Sequence, residues 1–355
     1  KRLSRIWRAF RRLEAAIHDW RPDALLLIDL PDFNLRLARA VRRMPCPILY
    51  YVSPQLWAWR SGRIRTIARC VDHMMVIFPF EAALYEKAGV PVTFVGHPLL
   101  DSIPRPALSE ESAGMERAGA GGASDRLDLD PAGSPVPNAR LWPDQDSRGG
   151  HGPAPRLALL PGSREGEVAA ILPWMLKAAA EIARRTPVQC LVAQAPGLED
   201  ATVQRHLSAF GLPVGRVVDK TLEVLRTADV ALVASGTATL EAALLERPLV
   251  VVYRVSWITY AIARLLVHGV RSIAIVNLIA GRTVVPERIQ FLKPSKLAPM
   301  VLRLLESPSA RSEMRSDLRD IRGRLGTPGA SGRVARIVLD HMIAAALRGS
   351  SWARG

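Results

Sequence analysis

The sequence predicts two α/β units, each built on a parallel sheet, and three observations carry that expectation. Short, near-continuous apolar runs alternate with segments of helical period, the pattern of strands covered on both faces by helices. The alternation runs through residues 1–101, stops, and resumes at Arg156. The 355 residues suffice for two ordinary domains, and 49% hydrophobic with 23% charged residues is a globular composition. A disordered tail, a collagen-like fibre and a small disulfide scaffold are thereby excluded.

The elements follow in order. Residues 1–20 set Leu3, Ile6, Trp7, Phe10, Leu13, Ile17 and Trp20 at three- and four-residue steps. Lys1, Arg2, Arg5, Arg8, Arg11 and Arg12 fill most of the remainder. This is an amphipathic helix with a basic polar face, read either as a surface helix packed on its own domain or as one meeting an anionic membrane surface. ALLLID, PILYYV, HMMVIF and PVTFVG are the strands of an N-terminal domain, residues 1–101, with helices in PDFNLRLARAVRR, RIRTIARC and PFEAALYEKAG. Residues 102–155 are rich in Gly, Ala, Ser, Pro and Asp and hold no sustained period. Such a segment cannot bury enough surface to offset its ordering entropy, so a flexible interdomain linker is expected. No binding role is assigned to its Trp142. Residues 156–355 form the C-terminal domain, with strands in RLALL, PVQCLVA, VGRVVD, DVALVA and PLVVVY and a helical tail from Lys296. Ligands of such sheets bind at the carboxyl ends of the strands, and a cleft between the two units is a further expected place.

Charge and cysteine narrow the function classes. The 48 Lys+Arg against 33 Asp+Glu leave +15, which calls for an anionic partner: nucleic acid, lipid headgroups or a phosphorylated substrate. Cys46, Cys70 and Cys190 show no C-x-x-C spacing, so neither a zinc site nor a disulfide framework is read from them; buried apolar roles in a reducing cytosol suit them. The longest apolar stretch, PLVVVYRVSWITYAIARLLVHGV, is broken by Arg254 and Arg264 and is not a membrane span. The charged first residues do not read as a secretory signal.

Two strand-to-helix junctions in the C-terminal domain share one physical character. In LALLPGSREGEV, Pro161 and Gly162 turn the chain, Ser163 suits an N-cap, and Arg164 stands where helix N–H groups begin. A helix N-terminus beside a guanidinium suits a diphosphate. In DVALVASGTATLEAALLE, Ser235, Gly236, Thr237 and Thr239 offer hydroxyls and open backbone at another helix start. Glu241 follows, either to accept a ribose hydroxyl or merely to complement the helix dipole. Neither junction matches the P-loop or the G-x-G-x-x-G fingerprint, which disfavours ATPases and dehydrogenases. In the N-terminal domain, IDLPDFN puts Asp29 and Asp32 at a strand's carboxyl end. A carboxylate there can take a proton from an attacking hydroxyl; on spacing alone Asp32 is the better candidate for a helix cap. Tyr50, Tyr51, Trp57 and Trp59 crowd the next strand end, to meet a sugar ring or acyl chain or to form a satellite core. His97 receives no role.

Six segments in order, IDLPDFNLRLA, YYVSPQLWAWRSGRI, FPFEAALYEKAGVPVTFVGHPL, LALLPGSREGEV, ASGTATLEAALLERPLVVVYR and VNLIAGRTVVPE, resemble the successive motifs of the lipid-A-disaccharide synthase family. The resemblance implies a GT-B fold, two Rossmann-like parallel-sheet domains facing a cleft. It also implies an inverting, metal-independent transferase that needs no cofactor. Its substrates would be UDP-2,3-diacylglucosamine and 2,3-diacylglucosamine 1-phosphate, its products the β-1,6 disaccharide of lipid A and UDP. By the same resemblance Asp32 is the base, with Asp29 beside it. Arg164 and Ser163 hold the diphosphate, and Ser235, Gly236, Thr237, Thr239, Glu241 and Asn277 line the sugar-nucleotide site. An enzyme with two lipid substrates is expected in the cytoplasm, peripheral on the inner face of the membrane. Lipid also accounts for the basic surface better than nucleic acid does, and the oligomeric state is unknown.

The family opens with a strand and a G-E-x-S-G-D loop that nothing before Lys1 supplies, so the first domain is expected to be N-terminally truncated. Its linker is usually much shorter, and Val276 stands where Pro is usual. The competing expectations are another membrane-associated UDP-sugar GT-B glycosyltransferase, which IDLPDFN and SPQLWAW argue against, and an inactive UDP-binding remnant.

Overall fold

Four strands make the first sheet: β1 (Leu25–Ile28), β2 (Ile48–Tyr51), β3 (His73–Val76) and β4 (Val92–Phe94). They pair in the order β1-β2-β3-β4, all parallel, as the four apolar runs predict. The computed structural model describes residues 2–54, 56, 62–105, 141–142, 154–210, 213–254 and 272–352. Every residue of β2 is buried, as a strand with neighbours on both sides and helices on both faces must be. Helices Pro31–Val41, Arg63–Cys70 and Pro79–Glu86 make the crossovers. Leu37 and Val41 from the first of these and Ile67 from the second meet Leu27, Ile48, Tyr50 and Met74 of the sheet in one core. Each such side chain contributes about 1.5–3 kcal/mol by leaving water.

The second sheet holds β5 (Arg156–Leu160), β6 (Gln189–Gln194), β7 (Val214–Val218), β8 (Val230–Ala234), β9 (Leu249–Tyr253) and β10 (Glu287–Ile289). Its order is β10-β9-β8-β5-β6-β7, again all parallel. Five strands coincide with predicted runs. β10 does not, because three residues of which two are charged leave no apolar signature at a sheet edge. From β5 the chain winds outward through β6 and β7, then returns to the other side of β5 with β8, β9 and β10. Between β5 and β8 the winding reverses, with Leu157 opposite Val230 and Leu160 opposite Val233. The crevice outside the carboxyl ends of such a pair is where open α/β sheets bind ligands.

The chain divides into two compact units, Lys1–Ser102 with Gly323–Gly355, and Ile103–Arg322. Residues 296–322 of the helical tail stay with the second unit as expected, but residues 323–355 join the first, against expectation. The reason is a set of polar ties within the first unit. The Leu325 carbonyl accepts from the His97 N–H at 3.0 Å, Arg333 Nε donates to the Val95 carbonyl at 2.8 Å, and the Asp101 carboxylate accepts from the Gly329 N–H. Most of the expected linker, residues 106–140 and 143–153, lies outside the described residues. Two of its members are nonetheless buried in the second unit. Ile103 is wholly enclosed, and Trp142 donates its Nε1–H to Thr227 Oγ1 at 3.0 Å with the Arg156 guanidinium over its ring. Composition hides both, since one large side chain among small polar ones leaves no period.

All three cysteines are free and buried, as read from their spacing, and burial pushes the Cys190 thiol up to about 12. Among the described residues no helix is long and apolar enough to cross a membrane.

Candidate functional site

The β5 exit is built around a glycine. Gly162 has φ of 111°, a region open to glycine, and a Cβ there would collide with the Glu167 carboxylate. That carboxylate, from the first turn of helix Glu165–Ala183, accepts from the Ser163 N–H at 3.2 Å. Arg164, not Ser163, occupies the N-cap, with φ of −116°. The expected capping role of Ser163 is therefore corrected: Glu167 reaches back and takes the N–H that leads into the turn. The Arg164 side chain is exposed and makes no hydrogen bond or ion pair among the described residues. Tyr253, at the end of β9, lies within the field of both Glu167 and Arg164, and burial first, then Glu167, raises its phenol. A turn with free N–H groups at a helix start and one unengaged guanidinium is equipped for an anion.

The β8 exit is the neighbour of this turn across the switch point. The Ser235 N–H is held by the Val252 carbonyl at 2.8 Å, continuing the ladder one residue past the strand. Gly236 and Thr237 are exposed, and a Cβ on Gly236 would meet open space. Thr239 differs from expectation. It is fully buried and its Oγ1 donates inward to the Ala234 carbonyl at 3.5 Å, so its hydroxyl serves the turn. Glu241, half-buried within helix Thr237–Leu244, makes no side-chain hydrogen bond or ion pair among the described residues, and burial raises its carboxyl above the ordinary value. That leaves an acceptor whose charged form is costly until a donor arrives.

Asn277 is turned inward as well. The resemblance implies a place in the sugar-nucleotide site, but the side chain is 2% exposed and fully engaged. Its Oδ1 accepts from the N–H groups of Val284 and Val285 at 2.8 and 2.9 Å, and its Nδ2 donates to the Val285 carbonyl at 2.9 Å. It is a clamp that folds residues 281–285 back onto helix Ile275–Ala280. Glu287 supports the same helix from outside, accepting from the N–H groups of Ile273 and Ala274.

In the first unit the strained backbone sits at the strand exits. Asp29 and Leu30, consecutive and neither glycine, take φ of 49° and 45° after β1; Val52 takes 65° after β2 and Gly96 81° before His97. Left-handed backbone costs roughly 1–2 kcal/mol per non-glycine residue, so it persists where other contacts enforce it. Here Asn34 Nδ2 donates to the carbonyls of Ile28 and Asp29 at 3.0 and 2.7 Å, and the Tyr50 hydroxyl donates to the Asp29 carbonyl. The bend is thus fixed before Pro31 starts the next helix.

Asp29 and Asp32 both stand exposed on this bend. The capping alternative for Asp32 is not what the geometry shows. Leu30 is the N-cap, without a side-chain cap bond, and Asp32 lies inside the first turn, 74% exposed and ion-paired with Arg63 Nη2. Tyr50 and Tyr51 are buried, with Tyr50 serving the Asp29 bend, while Trp57 and Trp59 lie outside the described residues. Sequence reasoning missed Asn34, Arg63 and Glu167, and it read Tyr50 as a sugar, acyl or satellite-core contact and not as support for the bend. Of the three missed residues only Glu167 left a signal, as an acid four residues past the Ser163 position.

A sequence profile of the family described as lipid-A-disaccharide synthetase matches residues 1–116 and 151–326. The lipid-A-disaccharide synthase of Myxococcus xanthus is 40% identical over 341 residues, covering 96% of this chain and 80% of that one. The synthase of Geobacter sulfurreducens is 41% identical over 339 residues, covering 95% and 80%. Among solved structures, the fold resembles a UDP-GlcNAc 2-epimerase from Neisseria meningitidis bound to UDP-GlcNAc, with a TM-score of 0.55 at 13% identity over 93% of this chain and 80% of that one. It resembles an S. aureus MnaA–UDP co-structure with a TM-score of 0.57 at 11% identity, over 93% and 77%. At such identities the likeness carries the GT-B architecture alone.

Proposed function

The chain belongs to the lipid-A-disaccharide synthetase family, and on that premise we propose how its residues divide the glycosyl transfer. The reaction joins a UDP-linked diacylglucosamine to a diacylglucosamine 1-phosphate. A hydroxyl oxygen of the acceptor attacks the anomeric carbon, the bond from that carbon to the diphosphate oxygen breaks, and the hydroxyl proton passes to a base. Asp32 is that base, its carboxylate oriented by Arg63. Asp29 shapes the bend from which Asp32 projects.

The leaving diphosphate gains charge as its bond breaks, so fixed donors that meet it lower the barrier. Arg164, the Ser163 turn and the start of helix Thr237–Leu244 supply them, and Glu241 accepts a ribose hydroxyl. The observation that carries this reading is topological. The two turns singled out in the sequence follow β5 and β8, the adjacent strands at which the second sheet reverses its winding. Buried Thr239 and Asn277 act as positioning residues behind it.

Turnover of the two lipid substrates, with UDP affinity measured in parallel, tests the division. Asp32→Asn should cut turnover by roughly 10²–10⁴-fold at unchanged UDP affinity. Arg164→Ala should weaken UDP by about 10- to 150-fold, the worth of one charge-assisted contact. Exchanged phenotypes would overturn the assignment.

The first unit is also the side we assign to the anionic membrane surface. It holds 21 Lys+Arg against 10 Asp+Glu, which is +11 of the chain's +15. It also exposes Ile6, Trp7, Leu13 and Trp20 on helix Arg2–Trp20, where Phe10 and Ile17 pack inward. Leu339, Ile343 and Leu347 form a second exposed stripe on helix Ala330–Trp352. Basic charge beside exposed apolar side chains supports an in-plane contact. Co-sedimentation with anionic vesicles should fall steeply as salt rises, and equal binding to neutral vesicles would refute the electrostatic part.

A further inference from the structure

His97 stands at the β4 exit, two residues beyond the last strand-to-strand backbone bond, from the Val95 N–H to the Val76 carbonyl. Its ring is buried, with 7% of the residue exposed. Three contacts fix its place. The backbone N–H is taken by the Leu325 carbonyl at 3.0 Å, the ring leans on Phe78 at 5.3 Å between centroids, and Phe78 stacks on Phe80 at 5.6 Å. The glycine before it, at φ of 81°, has Arg333 Nη2 and the carbonyls of Thr327 and Leu325 packed where a Cβ would be.

The polar atoms of the ring are not equivalent. Nδ1 faces the Leu99 N–H at 3.2 Å, and since an amide can only donate, Nδ1 is the acceptor. A neutral ring then carries its proton on Nε2. Burial lowers the imidazolium's pKa to about 4, so the neutral form prevails through the physiological range. Nε2 has no protein partner among the described residues, nor is it among the polar atoms sealed away from solvent without one. The fold therefore prepares an uncharged N–H donor at the carboxyl edge of the first sheet, the edge that also carries the Asp29–Asp32 bend.

We propose that the Nε2–H of His97 donates a hydrogen bond to an uncharged oxygen, a sugar hydroxyl or an acyl carbonyl, of the acceptor lipid. This rests on the glycosyl-transfer reading above. An uncharged oxygen is the fitting partner because a buried neutral imidazole supplies direction without charge. A phosphate group would draw on guanidinium instead, and Arg63 stands on the same edge.

Two substitutions separate binding from structure. In His97→Asn the Oδ1 can replace Nδ1 as acceptor for Leu99, but nothing reaches the position of Nε2. In His97→Gln the amide nitrogen can reach that position while the Leu99 partner is lost. The Asn variant should keep its melting temperature and the KM for the UDP-sugar, and raise the acceptor KM by roughly 3- to 10-fold, the span of one neutral hydrogen bond. The Gln variant should melt lower yet regain part of the acceptor affinity. In wild type, the Nε2–H resonance in a nitrogen-15 spectrum should shift on adding 2,3-diacylglucosamine 1-phosphate, and the acceptor KM should be flat from pH 6 to 8.

If wild type turns over but the Asn variant matches it and the resonance stays fixed, the His97 assignment alone fails. A pH-dependent acceptor KM that becomes flat in the Asn variant would mean a charged ring and would also overturn it. If wild type neither turns over nor shows the shift, the reaction reading fails and His97 with it.

Discussion

Replacing Gly162 by alanine tests whether the β5 turn is built for its ligand or only passes by it. The backbone at φ of 111° lies where a residue with a Cβ is strained by roughly 1–3 kcal/mol. The added Cβ would also meet the Glu167 carboxylate, which must withdraw and release the Ser163 N–H. Losing that bond to a charged acceptor adds roughly 1 kcal/mol, discounted because the turn is exposed and water can replace it. The total is about 2–4 kcal/mol. For a domain of this size it corresponds to a fall in melting temperature of roughly 5–15 °C. UDP affinity should fall as well, since Ser163 and Arg164 follow the displaced residue directly. Gly166 supplies the control. It sits in the first turn of the same helix with open space around its would-be Cβ. Gly166→Ala should therefore leave UDP binding intact and stabilise by about 0.5–1 kcal/mol. Thermal melts and calorimetry with UDP on the four combinations, single, double and wild type, read both effects. A Gly162→Ala protein that melts like wild type would refute the strain. One that melts low but binds UDP at full strength would detach the turn from the nucleotide site.

Two other substitutions separate support from contact. Burial raises the Glu241 carboxyl, so the folded state holds that proton more tightly than the unfolded chain. The stability this contributes is complete below the ordinary carboxylate range and is lost as pH rises through the raised value. Glu241→Gln should therefore raise the melting temperature at pH 7 and not at pH 4, while UDP-sugar affinity falls; unchanged affinity would reduce Glu241 to a buried acid without a ligand. Asn277→Ala strands two N–H groups and a carbonyl at Val284 and Val285, a loss of about 2–5 kcal/mol that melting should register. A large loss of affinity at unchanged melting temperature would return Asn277 to direct contact.

Much of the fold was legible because parallel strands buried on both faces write themselves as unbroken apolar runs, and nine of the ten strands coincide with such runs. β10 escaped because an edge strand of Glu-Arg-Ile has no such need. The helical tail was read as helix correctly, but the partner of residues 323–355 was not, since period says which face is apolar and not what covers it. Its ties run from Arg333 to the Val95 carbonyl and from the His97 N–H to the Leu325 carbonyl, and no residue type announces such a backbone partner. The junctions after β5 and β8 were legible as helix starts with small polar residues. What those residues do there was less so. Thr239, singled out as a hydroxyl at a helix start, and Asn277, placed at the site by the family resemblance, both turn inward in the structure, because a hydroxyl or amide suits a buried backbone group as well as it suits a sugar.

Strain explains why the bend after β1 is harder to read than the turn after β5. In the second unit the demanding position after β5 is filled by Gly162, and a glycine in a strand-to-helix turn is visible to anyone reading the sequence. In the first unit the corresponding positions are Asp29, Leu30 and Val52, which carry side chains that disfavour the backbone they adopt. The stabilising groups are Asn34, one turn into the next helix, and Tyr50, on the neighbouring strand, both spending their polar atoms on carbonyls of the bend. A bend enforced from outside keeps its shape independently of what occupies it. An exposed carboxylate that must meet a weakly acidic hydroxyl at a fixed distance needs that independence, because each ångström of drift removes the hydrogen bond through which the proton moves. The support of the proposed base is therefore predicted to lie in Asn34 and Tyr50 as much as in Asp32 itself, whereas spacing alone read Asp32 as a helix cap and gave neither supporting residue that role.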